Sequence, residues 1–179
     1  GRVHLVYYKG DERAGDLFYV TSDDGEQFSK PLRVNTHDGS AVAIGTIRGA
    51  QMALGKGERV HVAWVGSEKA EPKAPGGTLP MLYARLNDPR DAFEPERNII
   101  SQHVGLDGGG SVAADREGRV WVVWHAPDGP KSVGASNREL YFAKSTDDGR
   151  TFAQDHELIS TGTGACECCS LRAFCAGQD

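Results

Sequence analysis

The chain has 179 residues, of which 20 are Lys or Arg and 25 are Asp or Glu, and its formal net charge is −5. This balance disfavours nucleic-acid partners, because a nucleic-acid surface needs a clustered excess of Lys and Arg. The mean hydropathy is −0.46, and no apolar run approaches the ~18 residues that span a bilayer, so we expect no membrane span. We expect one domain over residues 1–179. Because the first residues already fit a strand, we also expect a fragment of a longer protein.

Three segments of the chain share a composition that is typical of strands. Val3–Tyr7, Val60–Trp64 and Val120–Trp124 combine β-branched and aromatic residues, and they begin 57 and then 60 residues apart. A period of this length indicates a repeated supersecondary unit. We therefore predict three repeats of four strands, at approximately residues 1–50, 51–110 and 111–169, with residues 170–179 opening a further unit.

A distinctive turn follows the third predicted strand of each repeat. Thr21–Phe28 and Ser145–Phe152 both read Ser/Thr-x-Asp-x-Gly-x-x-Phe. In such a turn the Asp accepts backbone N–H groups, the Gly takes a positive φ, and the aromatic ring tucks under the sheet. The structural turn residues that we predict are Thr21, Asp23, Gly25 and Phe28 in the first copy, Asp88 and Phe93 in a degenerate second copy, and Ser145, Asp147, Gly149 and Phe152 in the third.

The turn, in phase with a four-strand repeat, resembles the Asp-box, or bacterial neuraminidase repeat (BNR), of the sialidase superfamily. This resemblance implies an all-β fold, a β-propeller whose blades are four-stranded antiparallel sheets. Sialidase propellers have six blades, so three repeats would form half of one. A generic all-β sandwich with similar turns is the alternative.

The loops of such a repeat separate into two groups. The turns after the first and third strands lie at one end of each sheet, here named the turn face, and the remaining loops lie at the other, the loop face. Long loops are predicted at the loop face, residues 9–16 and 125–139 among them, and propeller ligands bind at such a mouth. The ligand-face candidates are Arg48, His103, Asp107, His125, Arg138, Glu139 and Arg172.

The sialidase resemblance implies three Arg that bind the substrate carboxylate, a Tyr nucleophile activated by Glu, and an Asp acid/base. Arg suits the first role because its guanidinium binds a carboxylate in bidentate fashion. Arg48, Arg138 and Arg172 are available for it, with a surface salt bridge as the alternative for each. The chain has no Arg-Ile-Pro motif of the sialidase type, and no neighbouring residues mark the Tyr or the Asp. The catalytic residues are therefore unassigned.

Four cysteines, Cys166, Cys168, Cys169 and Cys175, lie within ten residues of one another. Three interpretations are open. An exported protein would use them as disulfides, their thiolates could bind a thiophilic metal such as copper(I) or zinc, or they are free thiols. No cofactor is otherwise required.

These observations favour a glycan-directed propeller, either an exo-glycosidase-like hydrolase or a fragment of one. The alternative is a non-catalytic propeller that binds a glycan, a protein or a metal through its Cys-bearing loop face. We expect a carbohydrate ligand, no nucleic acid, and either the remaining blades of a parent chain or a second copy as a partner. A secreted or periplasmic location is expected. The chain alone should show no appreciable sialidase activity, because half a propeller cannot surround a substrate.

Overall fold

The structure is a computed structural model that describes residues 1–45, 49–106, 108–127, 137–157 and 171–176. The strands in these ranges are β1 (Val3–Asp11), β2 (Ala14–Ser22), β3 (Leu32–Arg33), β4 (Ala50–Leu54), β5 (Val60–Val65), β6 (Met81–Arg85), β7 (Arg97–Asn98), β8 (Gly110–Ala114), β9 (Val120–Pro127), β10 (Arg138–Ser145) and β11 (His156–Glu157). Two 3-10 segments, Lys56–Glu58 and Pro75–Gly77, accompany them. None of the described residues belongs to a helix that could cross a membrane.

The strands form three antiparallel sheets. Sheet 1 has the order β1-β2-β3, sheet 2 the order β4-β5-β6-β7, and sheet 3 the order β8-β9-β10-β11. Each sheet is a meander in which strands that follow one another along the chain are hydrogen-bonded neighbours. The all-β class predicted from the sequence is confirmed.

The sheets pack face to face around two hydrophobic cores. Val62 and Trp64 of β5 point toward sheet 1 and pack with Leu17 and Tyr19, whereas the alternating residue Ala63 belongs to the core that contains Trp124 of sheet 3. Successive side chains of a strand point to opposite faces, so a strand between two sheets is apolar on both. This explains why all six residues of β5 are buried.

The three repeats place their aligned aromatic residues in related environments. Trp64 and Trp124 are 1% and 0% exposed. Tyr7, at the same position of sheet 1, is half-buried and stacks on Phe18 with 5.6 Å between ring centroids. Tyr7 is less buried because none of the described strands packs on the outer face of sheet 1.

Two predicted segments differ from the structure. The loop predicted over residues 9–16 is a two-residue turn, because β1 continues to Asp11 and β2 begins at Ala14. Residues 171–176 were expected to open a further strand, but they have no strand structure. This segment reaches β8 through a side chain, since the Ala173 N–H donates to Ser111 Oγ at 3.0 Å, and a side-chain contact does not extend a backbone ladder.

The first and third Asp-Gly turns use equivalent chemistry in different registers. Asp147 accepts the Thr151 N–H at 2.9 Å and the Ser145 hydroxyl at 2.7 Å. In the first turn the corresponding acceptor is Asp24, bound by the Gln27 N–H at 2.9 Å and the Ser22 hydroxyl at 2.9 Å.

The assignment of the first turn to Thr21 and Asp23 is therefore corrected to Ser22 and Asp24. Asp23 is instead exposed and pairs with Arg2 at 2.8 Å. Gly25 and Gly149 have φ values of +80° and +75°, as the turn requires.

The second turn keeps the backbone conformation without the glycine. Arg90, which replaces it, has a φ of +63°. Asn87 accepts the Asp91 N–H at 3.1 Å, whereas Asp88, the predicted acceptor, pairs with Arg59 at 2.7 Å. An Asn side chain can close such a turn as an Asp does, because both offer an acceptor oxygen at the same distance from the backbone.

The aromatic residue that ends each turn packs against the preceding sheet. Phe93 of sheet 2 meets Tyr19 of sheet 1 edge-on, with 5.6 Å between centroids, and Phe152 of sheet 3 meets Tyr83 of sheet 2 edge-on at 4.8 Å. Phe28 of sheet 1 packs on none of the sheets that the structure describes and is 45% exposed. The prediction that the ring tucks away is confirmed for Phe93 and Phe152.

Candidate ligand-binding face

The loop after β7 is held by one buried carboxylate of sheet 3. Asp155 lies one residue before β11 and is 0% exposed. It accepts the N–H groups of Gln102 and His103, each at 2.9 Å, and the hydroxyl of Ser101. Burial alone would raise the pKa of Asp155, but hydrogen bonds from Ser101 and His103 outweigh it and place that pKa below its usual value. An ionised carboxylate thus fixes the backbone of this loop.

The same arrangement immobilises the His103 side chain on the loop face. Its ring stacks on Tyr141 with 4.2 Å between centroids and an interplanar angle of 15°. Its Nδ1 lies 3.2 Å from Asp155 Oδ2, and its carbonyl accepts the Trp124 indole N–H at 3.4 Å. The side chain remains 33% exposed. His103 therefore presents a positioned imidazole edge to solvent.

An equivalent carboxylate joins sheet 2 to sheet 1. Glu96, one residue before β7, accepts the Thr36 N–H at 2.7 Å and the His37 N–H at 3.0 Å. Its Oε1 lies 3.3 Å from His37 Nδ1. Burial would raise the pKa of Glu96, but hydrogen bonds led by that of the Thr36 hydroxyl lower it. Sequence reasoning missed Glu96 and Asp155, here named the anchor carboxylates, although each stands just before the outermost strand of its sheet.

Arg172, one of the predicted candidates, contacts the inner strand β4. Its Nη1 donates to Gln51 Oε1 at 2.5 Å, and Gln51 is the second residue of β4. The guanidinium is exposed and forms no ion pair with any residue in the described ranges. Arg172 thus offers a positioned positive charge that no described carboxylate neutralises.

Other candidates lie inside the β9–β10 hairpin instead of in a loop. β9 continues to Pro127 and β10 begins at Arg138, which pairs with Pro127. His125, paired with Leu140, is 1% exposed, so its prediction as a loop residue open to ligand is wrong. Arg138 is 8% exposed, and Glu139 is half-buried. The apolar alternation of β9 continues past Trp124, which explains the longer hairpin.

Five of the remaining candidates lie outside the described residues: Arg48, Asp107, Cys166, Cys168 and Cys169.

Cys175 is half-buried and has no disulfide partner among the described residues. Burial raises the pKa of its thiol, so this sulfur is a poor thiolate. No group of three or more metal-ligating side chains occurs within the described ranges. The structure does not bring His103 and Arg172 into contact with each other.

A second polar cluster lies at the turn face and joins sheets 2 and 3. Arg59 Nε donates to Asp148 Oδ2 at 2.5 Å, and Arg85 donates to the two oxygens of Glu94 at 2.9 and 2.6 Å. Arg85 also donates to the Asp148 carbonyl at 2.9 Å. Arg59 and Arg85 have carboxylate partners within the chain, so they stabilise the packing of the two sheets and are not free to bind a ligand carboxylate.

Comparison with known proteins identifies the fold and no family. No family model matches the chain, and no curated protein matches it. A protein of unknown function from Dyadobacter fermentans DSM 18053 superposes with a TM-score of 0.53 at 16% identity, over 86% of this chain and 50% of that one.

A Penicillium chrysogenum alpha-L-arabinanase complexed with arabinobiose gives a TM-score of 0.56 at 17% identity, over 92% of this chain and 47% of that one. The Hadza microbial sialidase Hz136 gives 0.44 at 14% identity, over 83% and 34%. The chain therefore spans about half the length of the first two structures and a third of the third. The first two likenesses support a propeller-like stack of sheets.

Proposed function

We propose that this chain is part of a sialidase-like Asp-box β-propeller whose loop face binds glycans, with a preference for sugars that carry a carboxylate. The observation that carries this proposal is the exposed Arg172, whose guanidinium is held by Gln51 beside the inner strands. No described carboxylate pairs with this guanidinium, and a guanidinium binds an anionic group such as a carboxylate. The likeness to a carbohydrate-complexed arabinanase is consistent with a glycan ligand.

His103 would supply the polar contact to sugar hydroxyl groups at the outer part of the same face. Its Nδ1 is engaged by Asp155, and no described residue bonds to its Nε2, so that nitrogen is available to a hydroxyl. The ring is already fixed by Tyr141, so binding would cost little side-chain entropy.

The experiment is a calorimetric titration with N-acetylneuraminic acid, glucuronic acid and a neutral sugar such as arabinobiose. We expect the acidic sugars to bind. Arg172→Gln should weaken their binding by roughly tenfold or more, because it removes one charge-assisted hydrogen bond. Arg2→Gln is the matched control, because Arg2 is exposed at the turn face and pairs with Asp23. Absence of binding by every sugar, or equal effects of the two substitutions, would overturn the proposal.

The enzymatic and non-catalytic versions of this function differ in one assay. Release of a fluorogenic aglycone from a sialoside would indicate hydrolase activity, and we propose that this chain alone releases none.

The Cys cluster fits a disulfide-bonded, exported protein or a thiophilic metal site. Thiol titration of native and unfolded protein with metal analysis separates those two, and four reactive thiols without metal would reject both.

A further inference from the structure

Glu139, at the loop-face end of β10, has a half-buried carboxylate. Its side chain forms no ion pair or hydrogen bond with any described residue. Two other glutamates that are shielded from solvent have partners, because Glu94 pairs with Arg85 at 2.6 Å and Glu96 accepts the Thr36 N–H at 2.7 Å. Partial burial removes some of the water that solvates a carboxylate, so an unpaired one is a site for hydrogen-bond donors.

Glu139 lies on the same face of sheet 3 as the tyrosine beneath His103. It stands two residues before Tyr141 in β10, so both side chains leave one face of the sheet, about 6.5–7 Å apart along the strand. Glu139 is paired with Ala126, and Tyr141 is paired with Trp124. Ala126 and Trp124 both belong to the core shared with sheet 2. Glu139 therefore points to the side of sheet 3 on which the loop after β7 lies.

The loop that carries His103 extends past the level of Glu139 in the β9–β10 hairpin. His103 stacks on Tyr141 with 4.2 Å between centroids. Two residues later, a Cβ added to Gly105 would lie 3.6 Å from Cδ of Pro127, which is the last residue of β9. The residue pair of Glu139 is between these two levels of the hairpin. The loop thus brings the imidazole to the neighbourhood of the Glu139 carboxylate.

Asp155 determines which nitrogen of the His103 ring carries hydrogen. Asp155 Oδ2 lies 3.2 Å from Nδ1. An ionised carboxylate can only accept hydrogen bonds, so Nδ1 is the nitrogen that donates. In the neutral imidazole the other nitrogen, Nε2, is then a hydrogen-bond acceptor.

The acceptor nitrogen lies on the edge of the ring nearer to Glu139. Asp155 directly precedes His156, which is paired with Phe142 of β10. Asp155 therefore holds the imidazole from the turn-face side of Tyr141, whereas Glu139 lies on the loop-face side. Since Nδ1 and Nε2 are on different edges of the ring, Nε2 is directed toward the carboxylate. Two hydrogen-bond acceptors are thus adjacent at the loop face.

We propose that His103 Nε2 and the Glu139 carboxylate form a subsite for a neutral sugar, in which each accepts a hydrogen bond from one of two neighbouring hydroxyl groups. A vicinal diol matches two acceptors because both of its hydroxyls can donate, and the bond to the carboxylate is charge-assisted. The negative charge of Glu139 disfavours an acidic sugar at this position. This inference rests on the proposed binding of glycans at the loop face and adds a neutral residue to the acidic one bound by Arg172.

NMR of the full chain at pH 8 tests this subsite. Long-range proton–nitrogen spectra of the His103 ring should show the hydrogen on Nδ1. Methyl glucoside and arabinobiose should shift the Nε2 resonance, whereas the fully O-methylated glucoside, which has no hydroxyl to donate, should not. Glu139→Gln should weaken the binding of the neutral sugars by about fivefold or more. Glu26→Gln is the matched control, because Glu26 is exposed at the turn face.

Several outcomes would overturn this subsite. They are a hydrogen on Nε2 in the free protein, no response of the ring to any neutral sugar, an equal response to the O-methylated glucoside, and equal affinities of wild type and Glu139→Gln. Glucosamine that binds much more tightly than glucose would identify an ammonium site instead. Acidic sugars keep the two proposals apart, because their failure to bind would reject the role of Arg172, whereas the neutral sugars report on His103 and Glu139.

Discussion

His61 and Asp148 face each other across the interface between sheets 2 and 3, with 3.6 Å between Nε2 and Oδ1. Both atoms are buried and neither has a hydrogen-bond partner among the described residues. His61 Nδ1 is satisfied by the Tyr83 hydroxyl at 2.7 Å. Burial lowers the pKa of His61 to about 4, with the nearby arginines adding to the shift. The imidazole is therefore neutral at pH 7.

Acidification should destabilise the chain through His61. Its pKa is about 4 in the folded state against 6.5 for an ordinary His, so between these values the unfolded state binds the extra proton and stability falls as the pH falls. A shift of this size corresponds to roughly 3 kcal/mol in the free energy of unfolding between pH 7 and pH 4.

Urea unfolding at pH 7, 6, 5 and 4 measures this slope. His61→Gln should flatten it, and His4→Gln, at the equivalent but less buried position of sheet 1, should change it less. Equal slopes in wild type and His61→Gln would contradict the assignment.

Gly149→Ala should cost much more stability than Gly25→Ala. Both glycines have a positive φ, which costs an Ala about 1–2 kcal/mol. A Cβ at Gly149 would in addition clash with the Tyr83 hydroxyl, whereas at Gly25 no atom lies within 4 Å. We expect about 3 kcal/mol or more for Gly149→Ala. The unfolding midpoints of the two variants measure this difference. Similar losses of stability in both would show that the space next to Tyr83 is not limiting.

Asp155→Asn should loosen the loop that carries His103. The substitution removes the charge from a buried acceptor of several N–H and O–H groups, which should cost about 1.5–3 kcal/mol. Hydrogen exchange at the Gln102 and His103 amides should accelerate. Asp38→Asn, at a side chain 89% exposed, is the control. Unchanged protection of both amides would contradict the anchoring role of Asp155.

Asp24→Asn should lower the thermal midpoint more than Asp23→Asn. Hydrogen bonds from the Gln27 and Glu26 amides and from Ser22 lower the pKa of Asp24 to about 2, so the ionised form stabilises the turn and that contribution is lost as the pH falls from about 4 to 2. Asp23 has only the exposed pair with Arg2. Scans at pH 7 and pH 2.5 should show a clear difference between the two variants at the first pH and a smaller difference at the second. The reverse order would restore Asp23 as the turn residue.

The strands and their repeat could be predicted from sequence because β-branched and aromatic residues recur with a fixed period. The acceptor of the first turn could not, since Ser22-Asp23-Asp24-Gly25 fits the pattern in two registers and only the hydrogen bonds distinguish them.

The candidate face was predictable in part. His103 was placed correctly in a loop, but its immobilisation depends on Asp155, 52 residues later, and no local pattern links the two. His125 was misplaced because β9 continues past Trp124 to Pro127, with Ala126 still in the core.

The anchor carboxylates determine where this repeat can be cut for engineering. Glu96 belongs to sheet 2 but holds the loop of sheet 1, and Asp155 belongs to sheet 3 but holds the loop of sheet 2. A chimera joined at the borders of the sheets would separate each loop from its carboxylate. The transplantable module instead runs from one loop through the last strand of the next sheet, residues 100–157 for the copy that carries His103.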